Sequence, residues 1–152
     1  MLTLRPSTLT EAAALIRDLN AELSAIYPEE GATHFALTED QVAPGRGLFL
    51  IGYLDGQPVA CGALRLLDAA TAELKRMYVI PAHRKKGFAS QILRALEAEA
   101  QRLGATTILL ETGNRLPAAI NLYTHAGYHT IPNFGPYVNS PLSLCMSKTL
   151  SP

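Results

Sequence analysis

The stretch from residue 72 to residue 111 constrains this chain most. Ala72 to Ile80 is a largely apolar run closed by Pro81, and Gly87 to Leu103 carries Ile92, Leu93, Leu96, Ala100 and Leu103 along one helical stripe, with Gly104 as a stop. Thr106 to Glu111 then reads as a β-branched, continuously apolar strand of the kind that is covered on both faces. Strand, helix and buried strand in that order predict a βαβ unit with a right-handed crossover.

The flanking segments build on this unit. Thr8-Leu-Thr-Glu11 reads as a capping box that opens a helix through Ala12, Leu15, Ile16, Leu19 and Leu23 to about Ala25, after a short strand at Leu2 to Arg5. Leu48 to Leu54, the turn Asp55-Gly56-Gln57-Pro58, and Val59 to Leu67 predict an antiparallel hairpin. Pro117 starts a short helix that ends at Gly127, and strands near His129 to Ile131 and Leu142 to Leu150 follow, parted by a loop rich in Pro and Gly. Tyr27 to Gly47, with Pro28, Gly31, Pro44 and Gly45, reads as a mobile lid with one helical turn near Thr38 to Val42. At 152 residues the expectation is one α+β domain of three layers, with a mixed, mostly antiparallel central sheet, one βαβ unit and flanking helices.

Charge and cysteine usage exclude several function classes. Lys and Arg number 13 against 13 Asp and Glu, so no global field draws the chain to nucleic acid or to an anionic membrane surface. The longest apolar stretch, Leu48 to Leu54, is far short of the roughly 20 residues of a membrane span, and no signal-like apolar core is expected at the N-terminus. Cys61 and Cys145 cannot form a disulfide framework and sit in apolar runs, which fits a reducing cytoplasm. Neither has a basic helix start nearby to make it a nucleophile. His125 and His129 are separated by the helix-ending Gly127, while His83 and His34 fall in loops, so no metal site is expected. Gly45-Arg-Gly47 lacks the third glycine of a dinucleotide loop, and no Gly-Lys-Ser/Thr triplet occurs.

Balanced overall, the charge is uneven along the chain. Residues 1 to 60 hold three basic and eight acidic groups, whereas Lys75, Arg76, Arg84, Lys85 and Lys86 lie together without a carboxylate. Arg84-Lys85-Lys86-Gly87-Phe88-Ala89 joins a strand end to a helix start, where unpartnered N–H groups and the helix dipole favour an anion. Gly87 lets backbone approach closely and small Ala89 avoids a clash, so this segment is a candidate pyrophosphate cradle. A solvated basic loop in front of an ordinary helix is the alternative.

Ala72-Glu-Leu-Lys-Arg-Met-Tyr-Val-Ile-Pro-Ala-His-Arg-Lys-Lys-Gly-Phe-Ala89, followed by an amphipathic helix, resembles the acetyl-CoA-binding motif of the GNAT superfamily of N-acetyltransferases. Its hallmark is Arg or Gln, two residues, Gly, one residue, and Gly or Ala. Leu122-Tyr-Thr-His-Ala-Gly-Tyr128 resembles the family's downstream segment, and the order of elements agrees from Leu2 to Leu150. Leu116 departs from the pattern, standing where many members have Asn; Asn114 lies nearby and is the candidate coenzyme contact.

The resemblance implies a GNAT-like domain that moves an acetyl group from acetyl-CoA to a primary amine of a small molecule or peptide, by direct attack in a ternary complex and without a metal. It implies that backbone at Met77, Tyr78 and Val79 meets the pantetheine arm, with the Val79 N–H toward the thioester oxygen, and that Arg84, Lys85, Lys86, Gly87, Phe88 and Ala89 hold the pyrophosphate. Tyr123 matches the position that protonates the departing thiolate, although a packed core tyrosine would also suit that helix. Glu73, eleven residues before Arg84, is the first candidate for general base and Glu111 the reserve; the alternative for Glu73 is pairing with Lys75 or Arg76. In the family the first helix and the next loop wall the acceptor site, so Glu29 and Glu30, with Tyr137, are the candidate acceptor-binding residues. The acidic groups from Asp18 to Asp40 then predict a cationic acceptor, unless they only solvate the surface. Homodimers are common in the family. A catalytically silent acyl-CoA-binding module and an O-acyltransferase are the other functions carried forward.

Overall fold

The computed structural model describes residues 1–30 and 36–152; His34 and the centre of the expected lid lie outside the described residues. β2 (Gly47–Leu54) and β3 (Gln57–Leu66) form the expected hairpin. They turn at Asp55 and Gly56, whose φ values of 50° and 79° are what a tight two-residue connection demands. β1 (Thr3–Pro6) pairs on the outer side of β2, and β4 (Thr71–Val79) on the inner side of β3, all antiparallel. The helix α2 (Phe88–Arg102) then crosses over to β5 (Thr107–Gly113), which lies parallel to β4 and completes the βαβ unit. β7 (Ser143–Thr149) inserts between β5 and β6 (His129–Ile131), giving the order β1-β2-β3-β4-β5-β7-β6.

Helices cover both faces of the sheet. α2 and α3 (Pro117–His125) close one side, where Ile92, Leu93, Leu96 and Tyr123 pack on Leu64, Leu74, Ile108 and Leu110. On the other face α1 (Ala13–Ile26) packs Leu15 and Leu19 against Phe49, Ile51, Cys61 and Tyr78. The apolar periodicity of each helix matches the face it buries.

The capping box at Thr8 and Glu11 forms, with Glu11 N donating to Thr8 Oγ1 at 3.1 Å and Thr8 N to Glu11 Oε1 at 3.2 Å. It closes a separate turn, and α1 begins only at Ala13. The Leu9 N–H is directed instead to Glu39 Oε1, at 2.5 Å, which holds this turn against the 39–42 segment. There the expected helical turn is a 3₁₀ turn, Glu39–Val42, capped reciprocally by Thr38 and Gln41.

Two irregularities of β4 position the site. Cys61 pairs with Tyr78 but Ala63 with Lys75, so Arg76 and Met77 together oppose Gly62. Arg76 has φ 58°, unusual for a side-chain-bearing residue and typical of a bulge. Gly62 is required at this place, since a Cβ there would meet Met77 Sδ at 2.6 Å and Ile92 Cγ2 at 2.7 Å. The second irregularity is a divergence: β4 and β5 pair from Thr71/Thr107 to Leu74/Leu110 and then part, although each strand continues.

Candidate active site

Beyond Leu74 and Leu110 the gap between β4 and β5 opens into a cleft of about 780 Å³. One side is made by Val79, Lys85, Gly87, Phe88, Ala89 and Ser90, where β4 ends and α2 begins. The first N–H groups of α2 have no intrahelical acceptor, the first bond of the helix being Gln91 N to Gly87 O at 3.1 Å. Gly87 is left-handed at φ 80°, and the space where a Cβ would stand is open. This end of the cleft therefore fits a phosphate-bearing ligand on backbone donors and a helix dipole. The wall opposite is α1 and its C-terminal turn, with Leu19, Leu23, Ile26 and Tyr27.

Residues 12–128 match the acetyltransferase (GNAT) family. The chain belongs to this family. The acetyltransferase is similar over 148 residues, at 35% identity, to the IAA acetyltransferase of Azospirillum brasilense, covering 96% of this chain and 95% of that protein. Among solved structures it is similar to a Klebsiella pneumoniae subsp. pneumoniae protein described as an acyl-CoA N-acyltransferase, at 34% identity, 99% coverage of both chains and a TM-score of 0.83. The PaiA N-acetyltransferase of Thermoplasma acidophilum, solved in complex with coenzyme A, shares the fold at 15% identity, a TM-score of 0.73 and 99% coverage of each chain.

Of the residues the sequence offers for the coenzyme, Met77, Tyr78, Val79, Arg84, Lys85, Gly87, Phe88 and Ala89 line the cleft of the acetyltransferase, while Lys86 and Asn114 do not. Lys86 Nζ lies 3.1 Å from His83 Nδ1, and Asn114 is turned away, its N–H to Leu142 O and its amide to Pro141 O. Arg84 is a strut: its Nε donates to Val79 O at 2.8 Å and its Nη2 grips both oxygens of Glu22 on α1, at 2.7 and 2.9 Å.

The two base candidates separate. Glu73 is wholly buried and is not among the lining residues. Its Oε1 accepts from Arg65 Nε at 2.9 Å, and its Oε2 accepts from Tyr137 Oη at 2.7 Å. Lys75 Nζ, 3.0 Å from Tyr137 Oη, stands 3.9 Å from the same carboxylate. The preference for Glu73 thus gives way to a structural assignment, because the carboxylate is spent on its partners. Glu111 lines the cleft, held by the Ser143 hydroxyl at 2.6 Å, and burial raises its carboxyl above the ordinary carboxylate range. Tyr123, on α3, also lines it; desolvation, with Glu111 nearby, raises its phenol far above the usual value. Cys61 is buried, its thiol pushed up to about 12 by desolvation, and so carries no thiolate at neutral pH.

Of the described carboxylates of the acidic segment, Glu22 lines the cleft and is held by Arg84. Glu29 is engaged by Arg115, with Nη1 and Nη2 donating at 2.9 and 2.5 Å, and neither Glu29 nor Glu30 lines the cleft. Tyr137 does line it. Arg115 also stacks over Tyr27, whose Oη accepts the Arg115 N–H at 2.5 Å. Gly113 makes room for that hydroxyl, because a Cβ there would overlap it. Reading the residues missed Arg115 and Ser90 as lining groups; Ser90, three residues after Gly87 in the first helical turn, had a readable signal, and Arg115 had none. No group of three or more His, Cys, Asp or Glu among the described residues could hold a metal ion, and no helix among them is long and apolar enough to cross a membrane.

Proposed function

We propose that this acetyltransferase transfers an acetyl group from acetyl-CoA to an amine, with Glu111 as proton acceptor and Tyr123 as proton donor. The observation that carries the reading is the divergence of β4 and β5 beside the open N-terminus of α2, with Glu111 and Tyr123 on the cleft it creates. Acetyl-CoA supplies the acetyl group as a thioester. The N–H groups of Phe88, Ala89 and Ser90 bind its phosphates, and the backbone of β4 beyond the bulge orients its pantetheine arm. Glu111, once ionised, takes a proton from the acceptor nitrogen at a carboxylate oxygen, directly or through water, so that the amine attacks neutral. Tyr123 Oη keeps its proton across the working pH range and gives it up where the sulfur departs. The apolar side chains of Leu19, Leu23 and Ile26 on α1 face these groups across the cleft and limit water there.

The test is acetyl-CoA turnover with a panel of amines and alcohols, followed by mild hydroxylamine. An acetylated product that resists hydroxylamine is an amide and supports the reading. Exclusive formation of a labile ester overturns it in favour of O-acylation, and tight acetyl-CoA binding without turnover on any acceptor indicates a binding module.

A further inference from the structure

Glu111 and Ser143 meet where β5 and β7 pair. The antiparallel register sets Glu111 against Cys145 and Gly113 against Ser143, so Glu111 and Ser143 are diagonal neighbours on one face of the sheet. Gly113 leaves no side chain opposite Ser143, and Tyr27 Oη fills the place a Cβ would take there. The Ser143 hydroxyl turns to Glu111 and donates to Oε2 at 2.6 Å, the short separation of a hydroxyl on a charged carboxylate. With its proton committed there, the hydroxyl keeps its acceptor capacity, and Ser140 Oγ stands 2.7 Å away to donate to it. The loop that carries both serines is fixed by its own bonds. Ser140 N donates to Tyr137 O at 3.0 Å and Ser143 N to Ser140 O at 3.2 Å, while Asn133 Nδ2 reaches the carbonyls of Tyr137, Ser140 and Ser143 at 3.1, 3.2 and 3.3 Å. Among the described residues no donor is bonded to the other carboxylate oxygen of Glu111, Oε1.

We propose that Ser143 is a positioning residue for acetyl transfer: its hydroxyl, backed by Ser140, pins Oε2 of Glu111 and leaves Oε1 to take the proton of the acceptor nitrogen. This rests on the reading of Glu111 as proton acceptor. A donated hydrogen bond favours the ionised carboxylate and so works against burial, which favours the neutral one. The charged and titratable groups around it act as well: Lys75 and Arg76 of β4 favour ionisation, Glu73 opposes it, and Tyr27, Tyr123, Tyr137 and Cys145 feel its charge. Removing the serine hydroxyl changes none of these groups, so a shift in Ser143→Ala reads that one hydrogen bond.

The test titrates Glu111 directly, by carbon NMR of protein labelled at the glutamate side-chain carboxyl, the Glu111 signal being the one absent from Glu111→Gln. Ser143→Ala is expected to raise its midpoint by about one pH unit. Ser140→Ala raises it by less, and Ser143→Thr, which keeps a hydroxyl, stays near wild type. The acidic limb of kcat/KM for the fastest amine of the panel moves to higher pH by the same amounts. Circular dichroism confirms that each variant is folded. An unmoved midpoint in Ser143→Ala, or in Ser140→Ala should Ser143→Ala not fold, overturns the role of Ser143 and leaves acetyl transfer standing. A midpoint that moves while the limb stays in place overturns Glu111 as the proton acceptor, and the positioning role with it. Absence of turnover on every amine of the panel overturns acetyl transfer and the proposal together.

Discussion

Arg65 and Glu73 face each other directly across β3 and β4, and their ion pair, at 2.9 Å with the carboxylate wholly buried, anchors the polar cluster behind the cleft. Removing Arg65 leaves the buried carboxylate with only the Tyr137 hydroxyl at 2.7 Å and Lys75 at 3.9 Å. Arg65→Met is therefore expected to destabilise the fold by about 3–5 kcal/mol, read by denaturant unfolding. Glu73→Gln destabilises too, yet the folded fraction keeps the acidic limb of the pH–rate profile. Loss of that limb in Glu73→Gln, with stability unchanged, would restore Glu73 as the base.

With Glu111 as the proposed proton acceptor, that limb follows its ionisation. Its carboxyl is raised by burial, so kcat/KM is expected to climb with pH through a value above the ordinary carboxylate range. Glu111→Gln removes the limb for the same acceptor and lowers the rate roughly 10²-fold. The stability effect has a definite sign: a carboxyl raised in the folded state contributes stability below its unfolded value and loses it as pH rises through the folded one. Wild type should thus lose stability relative to Glu111→Gln over that interval, as thermal melts across pH will read.

Tyr123→Phe keeps the ring that meets Tyr128 edge-on at 5.8 Å and removes only the hydroxyl. Acetyl-CoA should bind with little change, while turnover falls roughly 10²-fold or more when chemistry limits the rate. Wild-type turnover in such an assay would return Tyr123 to a packing role.

Gly87 is open on its Cβ side but left-handed. Gly87→Ala is expected to cost about 1–2 kcal/mol from backbone conformation alone, and calorimetry should show a larger loss in acetyl-CoA affinity. Lys86→Ala should change affinity less, since its side chain points to His83 rather than into the cleft.

Local signals carried most of the architecture. The hairpin, the crossover helix and the last two strands follow from periodicity, Pro and Gly, and their observed ends lie within two residues of the expected ones. The helix start at Gly87 was equally legible, being a property of consecutive residues. The burial of Glu73 against Arg65 was not, because it depends on cross-strand register. Arg65 opposes Glu73 only in the register that holds above the bulge, and a single-residue slip exchanges the faces of a strand. The pairing of Glu22 and Glu29 with Arg84 and Arg115, 62 and 86 positions away, was equally hidden, since no local pattern reports it.

The extra residue in β4 divides one strand into two independently tunable halves. Before Arg76, Glu73 is buried against Arg65 and Lys75 reaches the cleft; after it, Met77 to Val79 line the cleft toward the start of α2. A change at Lys75 therefore alters the cleft lining without altering the backbone from Met77 to Val79. Such a seam lets one strand carry two environments, a polar one before the bulge and a cleft-lining one after it.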